Sequence, residues 1–101
     1  MNDKRIKLPN GRIAEFCKRH RIRRLSLFGS VLRGDFGPDS DIDVLVEFEL
    51  GARVGLISLA GLELELGEII GRKVDLNTLG FLSKYYRDRI INEAVVQYDA
   101  A

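Results

Sequence analysis

Leu27-Phe28-Gly29-Ser30, ten intervening residues, and then Asp41-Ile42-Asp43-Val44-Leu45-Val46 decide how this chain folds. Leu25 and Leu27 alternate with Arg24 and Ser26, so Ile22 to Phe28 is expected to be a strand that stops at Gly29-Ser30. Ile42 to Phe48 is rich in β-branched and apolar residues and is expected to be a second, central strand. Side chains alternate faces along a strand, so Asp41 and Asp43, two residues apart, project the same way. Two carboxylates side by side repel each other unless positive charge lies between them. A hard divalent cation supplies it, and magnesium suits a site that also holds phosphates.

Gly29-Ser30 lies where the first strand gives way to a short helical turn, Val31-Leu32-Arg33. Glycine lets the backbone approach a ligand closely, free N–H groups at the start of a helical turn favour an anion, and the Ser30 hydroxyl can donate to a phosphate oxygen. Arg33, one turn on, is a candidate for the same phosphate and equally for a salt bridge to the acidic loop Gly34 to Ser40. A phosphate cradle beside a metal-binding carboxylate pair is the minimum apparatus for phosphoryl or nucleotidyl transfer, where catalysis is mainly positioning and charge stabilisation. Asp75, in the short strand Val74-Asp75-Leu76, is the third candidate. If that strand neighbours the Asp41-Asp43 strand, Asp75 can ligate the metal and take the proton of an attacking hydroxyl. Two magnesium ions about 3.5–4 Å apart would then clamp the entering and leaving oxygens.

Working outward, Ile13, Phe16 and Cys17 recur at helical spacing after Pro9 and Asn10, with Asn10 a candidate N-cap. Val54 to Ile70 reads as a second helix, weakened by Gly55, Gly61 and Gly67 at about 1 kcal/mol each and capped by Gly71. Leu82 to Tyr98 reads as a final helix with Tyr85, Tyr86, Ile90, Ala94 and Val95 near one face; Tyr85 and Tyr86 read as packing residues, with stacking on a base or a place at an interface the alternative for Tyr85, Tyr86 or Tyr98. The expected order is α-β-α-β-α-β-α. That is an α/β (α+β) fold in which a small mixed sheet is packed with helices, forming a single domain over residues 1–101.

Composition bounds the rest. Hydrophobic residues make up 46% and charged residues 31% of the 101, too apolar a balance for a disordered chain. No run of about 18 apolar residues exists, so no membrane span is expected. No apolar signal core follows Met1-Asn2-Asp3-Lys4-Arg5, so a cytoplasmic protein is expected. Cys17 has no cysteine to pair with and reads as a buried structural thiol, and His20 reads as a helix-end residue rather than a base. Residues 1–24 hold nine Lys and Arg against two acids, whereas the rest of the chain is net acidic. A basic end suits phosphate-rich partners, but cations at a helix C-terminus are also favoured by its dipole. Asp39 to Asp43 begins like an EF-hand loop, but Val44 and Leu50 stand where Gly and Glu are required. Gly29 to Gly34 begins like a P-loop, but Asp35-Phe36 replaces Lys-Ser/Thr.

The strings Phe28-Gly29-Ser30-Val31-Leu32-Arg33-Gly34-Asp35 and Asp39-Ser40-Asp41-Ile42-Asp43-Val44-Leu45-Val46 resemble the signature of the polymerase-β-like nucleotidyltransferase superfamily. In particular they resemble its minimal prokaryotic branch, the MNT proteins often encoded beside a helical HEPN protein. The resemblance implies that Gly29 and Ser30 hold the triphosphate, that Asp41 and Asp43 hold the metals and that Asp75 is the third carboxylate. It also implies an antitoxin that transfers AMP from ATP to a tyrosine of a HEPN ribonuclease, with magnesium as cofactor. A non-catalytic antitoxin acting by occlusion and a nucleic-acid-binding regulator using the basic N-terminal segment are the alternatives. Transfer to a small molecule is a weaker one, and an oligomer is left open.

Overall fold

The computed structural model describes residues 8–32, 37 and 39–100. In chain order the elements are α1 (Asn10–Arg19), β1 (Ile22–Phe28), a short 3-10 turn (Gly29–Leu32), β2 (Ile42–Phe48), α2 (Leu56–Ile70), β3 (Val74–Asn77), a second 3-10 turn (Leu79–Phe81), α3 (Lys84–Glu93) and β4 (Val95–Asp99). The strands form one mixed sheet in the order β3-β2-β1-β4, so β2 is interior. β1 runs antiparallel to both β2 and β4, and β3 runs parallel to β2.

Burial separates the two faces of the sheet. Leu25 and Leu27 of β1, Ile42, Val44 and Val46 of β2, and Val74 and Leu76 of β3 share one face and pack with Ile13, Phe16 and Cys17 of α1 and Leu59, Leu62 and Leu66 of α2. The opposite face carries Ser26 and Phe28 of β1, Asp43 and Leu45 of β2, and Asp75 of β3, as their pairing across the strands requires. Helix α1 begins at Asn10 with Pro9 in the capping position and no side-chain cap, one residue earlier than the N-cap expected of Asn10. In α2, a Cβ added to Gly67 would lie 3.1 Å from the Arg72 carbonyl oxygen, a tight contact at the turn into β3. Gly71 ends the helix in the left-handed conformation with φ +82°, its N–H donating to the Gly67 carbonyl as a C-cap should.

The final helix expected over Leu82–Tyr98 is divided. α3 ends at Glu93, Ala94 is extended, and Val95–Asp99 pairs with β1 as β4. β1 has a second edge to satisfy, and the β-branched Val95 and Val96 with Tyr98 fit a pleated edge better than a helix end. Tyr85 is 93% exposed rather than packed.

The basic residues at and just after the end of α1 are met by carboxylates. Arg19 and His20 pair with Glu65 of α2, Arg21 with Glu49, Arg23 with Glu47, and Arg24 with Glu47 and Asp99. These ion pairs meet the charges of Arg19, Arg21, Arg23 and Arg24 within the chain itself. His20, half-buried, rests against Phe16 and bonds Glu65 at 2.9 Å, a structural role. Among the described residues no helix is long and apolar enough to cross a membrane.

Two predictions follow from this packing. Burial pushes the Cys17 thiol up to about 12, so little thiolate exists at neutral pH. A thiol reagent is expected to leave the native protein unmodified and to label Cys17 once urea unfolds it; rapid labelling of native protein would contradict its burial. Partial burial favours the neutral form of Glu65, but hydrogen bonds from Arg19 and His20 outweigh it and hold this carboxyl below its ordinary value of 4.5. A lowered native value adds stability that is complete above the ordinary value and is lost as pH falls through the folded one. The acid limb of a Tm-against-pH curve is therefore expected to be shallower in Glu65→Gln than in the wild type, and superimposable limbs would remove the pair from that role.

Candidate active site

Three strands bring the site together along one line of register. Phe28 at the end of β1 lies opposite Asp43 of β2, and Asp43 lies opposite Asp75 of β3. Partners in register on neighbouring strands share a face at a strand spacing of about 4.8 Å, so Asp43 and Asp75 stand side by side. The condition set for Asp75, that its strand should neighbour the Asp41-Asp43 strand, is met. Asp43 is half-buried, and Asp75 and Asp41 are exposed. Asp41 precedes β2 by one residue, and the Ile42 N–H beside it donates to the Lys73 carbonyl, which carries the strand pairing back to the base of this residue.

Gly29 closes on Asp43 from the adjacent strand. It has φ +77°, and a Cβ built on it would collide with Oδ2 of Asp43 and come within 3.1 Å of Cγ. This position therefore needs glycine twice, for its backbone conformation and for the space the carboxylate occupies. Ser30 follows, half-exposed, in the 3-10 turn. Arg33, the other expected phosphate contact, lies outside the described residues, as does most of the loop 34–38.

Arg72 was not among the residues expected at the site. Its Nη2 donates to the carbonyls of Gly37 and Ser40, both at 2.8 Å. The Ser40 hydroxyl accepts from the Gly37 N–H at 3.0 Å. The chain immediately before Asp41 is thus fastened to the turn that opens β3. The only sequence signal was a basic residue just ahead of the strand that carries Asp75.

An open pocket of about 260 Å³ lies beside these residues, lined by Phe28, Gly29 and Asp43 from the sheet and by Tyr86, Arg89, Ile90 and Glu93 from α3. Among the described residues no three His, Cys, Asp or Glu side chains form a group able to hold a metal ion, so Asp41, Asp43 and Asp75 are not gathered into a closed cage. The donor set still fits magnesium. Its donors are all oxygen, Asp43 and Asp75 are paired in register, and the missing Cβ of Gly29 leaves the Asp43 carboxylate its place. Magnesium commonly takes one or two carboxylates and completes its shell with water and substrate phosphates.

Comparison with known proteins agrees with this geometry. Residues 11–97 match the nucleotidyltransferase domain family, and the chain belongs to that family. A Methanocaldococcus jannaschii protein, assigned by inference as a protein adenylyltransferase, is 40% identical over 84 residues, 83% of this chain and 88% of its own length. The protein adenylyltransferase MntA of Thermococcus cleftensis is 33% identical over 81 residues, 80% of each chain. Among solved structures, a toxin–antitoxin complex with AMP-PNP superposes with a TM-score of 0.75 at 21% identity, over 91% of this chain and 74% of the other. A complex of a tri-AMPylated Shewanella oneidensis HEPN toxin with its MNT antitoxin gives a TM-score of 0.66 at 18% identity, over 89% and 69%. At these identities the two complexes are shared folds.

The Gly29 contact yields a paired test. Gly51 has a similar φ of +86° but nothing within 4 Å of an added Cβ. Gly29→Ala and Gly51→Ala should each lose about 1–2 kcal/mol of stability through backbone strain. Only Gly29→Ala, which displaces the Asp43 carboxylate, should lose catalytic turnover as well. Equal activity in the two variants would remove the contact from the mechanism.

Proposed function

We propose that this chain is a magnesium-dependent protein adenylyltransferase that moves AMP from ATP to a tyrosine hydroxyl of a helical HEPN-type toxin and so acts as an antitoxin. The observation that carries this reading is the side-by-side placement of Asp43 and Asp75 on parallel strands with Gly29 pressed against Asp43. Family membership supplies the transfer of a nucleotidyl group. The naming of relatives at 40% and 33% identity as protein adenylyltransferases supports AMP as the group and a protein as acceptor. The complexes of the same fold, one with AMP-PNP and one with an AMPylated HEPN toxin, support ATP as donor and the toxin as partner.

Asp41, Asp43 and Asp75 are the residues that would hold magnesium, and bound magnesium would neutralise charge developing on the phosphates. The turn Gly29-Ser30 would hold the triphosphate, with Gly29 making room for the Asp43 carboxylate beside it and the Ser30 hydroxyl donating to a phosphate oxygen. Arg72 acts at one remove, keeping the chain ahead of Asp41 in place through its two carbonyl contacts. The acceptor hydroxyl oxygen forms a bond to the α-phosphorus, the bond from that phosphorus to the bridging oxygen breaks, and pyrophosphate leaves. Asp75, the more exposed of the two paired carboxylates, receives the hydroxyl proton.

The test is transfer of label from α-labelled ATP to the toxin encoded beside this protein, in magnesium. Asp41→Asn and Asp43→Asn are each expected to lower the rate at least about 100-fold while the fold persists, because each removes a ligand for the charge on the phosphates. Chelation of magnesium should do the same. Undiminished labelling by Asp43→Asn would overturn the assignment. Full neutralisation of the toxin by an unlabelling double variant would place the activity in occlusion instead.

A further inference from the structure

Helix α3 buries none of its residues, so it is not a helix that completes the core. Four of its residues, Tyr86, Arg89, Ile90 and Glu93, recur at i, i+3, i+4 and i+7 and line the pocket shared with Phe28, Gly29 and Asp43. A helix face that packs for stability is apolar. This one carries a cation and a carboxylate against the metal-binding end of the sheet.

Arg89 is the one cation among the described residues lining this pocket, which otherwise presents the carboxylates of Asp43 and Glu93. Its Nε lies 3.2 Å from Glu93 Oε2, with the two side chains 68% and 42% exposed. An exposed pair of this kind is weak. Arg placed N-terminal to Glu at i,i+4 is also the less favourable order on a helix. Glu93 therefore parks the guanidinium beside the pocket without holding it firmly. A nucleoside triphosphate entering alongside Asp41, Asp43 and Asp75 adds negative charge to an acidic site, and a planar guanidinium meets phosphate oxygens with paired, charge-assisted hydrogen bonds.

We infer that Arg89 is a phosphate-binding residue of this site, exchanging Glu93 for an oxygen of the triphosphate when the nucleotide enters. The inference rests on the nucleotidyl-transfer reading and adds α3 to it as the wall that grips the donor. Glu93 then opposes nucleotide binding, both by competing for Arg89 and by its own charge.

The experiment is calorimetric titration of the full chain with MgATP and, in parallel, NMR titration with adenosine, which has no phosphate. The proteins are the wild type, Arg89→Ala, Arg89→Lys, Glu93→Gln and Arg12→Ala, the last an exposed arginine of α1. Arg89→Ala is expected to weaken MgATP about tenfold or more and to leave adenosine unchanged. Arg89→Lys should recover part of the loss, Glu93→Gln should bind MgATP more tightly than the wild type, and Arg12→Ala should match it. Wild-type affinity for MgATP in Arg89→Ala would overturn the inference. So would an equal loss of MgATP and adenosine, which marks a helix that has moved. A wild type that binds no MgATP would instead overturn the transfer reading, and this inference with it.

Discussion

The parallel register of β2 on β3 is the constraint on which the rest of the molecule depends. It places Ile42 opposite Val74 and Val44 opposite Leu76 on the core face, and in the same stroke Asp43 opposite Asp75 on the other. The two faces pull in different directions. Neighbouring carboxylates repel, but where they meet water the cost at about 4 Å is only about 1 kcal/mol. Each buried Val, Leu or Ile contributes about 1.5–3 kcal/mol. The apolar face therefore sets the register and the acidic face accepts it. A slip of one residue would drive Asp43 or Asp75 into the core, so the alternatives are closed off strongly.

The same constraint explains how a short chain holds a site without a deep cavity. The half-buried Asp43 is approached by Gly29, just past the end of β1, and the chain ahead of Asp41 is tied down by Arg72, in the turn before β3. Asp43 and the approach to Asp41 are thus each positioned by residues flanking a neighbouring strand. Glu63 of α2 extends the pattern, its Oε2 accepting the Leu76 N–H at 2.7 Å and so occupying a donor of β3, the edge strand beside Asp75. Rigidity comes from the core side and openness is left to the other.

Much of this was legible in the residues because it is written in short-range pattern. The limits of β2 follow from its apolar run, and the shared face of Asp43 with its strand mates follows from period two. The helical stripe Ile13, Phe16 and Cys17 is buried as its spacing requires. Three features were not legible. Arg72 acts through backbone carbonyls 32 and 35 residues away, and no local pattern encodes that. Which neighbour Asp75 would take depends on strand order, which the residues of β3 do not contain. The segment Tyr85 to Val95 has apolar residues at helical spacing, so the reading continued the helix to Tyr98, where an unpaired edge of β1 in fact takes Val95–Asp99.

That last difference bears on the chemistry. β3 and β4 lie at opposite edges of the sheet, and because β1 is antiparallel to both of its neighbours, β4 runs parallel to β3. Joining parallel strands demands a crossover, and a helix is the usual means. Here the crossover must pass β2 and β1, and one face is already occupied by α1 and α2. The chain therefore crosses the other face and carries α3 past Asp43 and Gly29. Had the helix run on to Tyr98, nothing would draw the chain to the far edge. β4 is what obliges α3 to pass beside Asp43, so the pocket wall is a consequence of strand order before it is a property of any side chain in it.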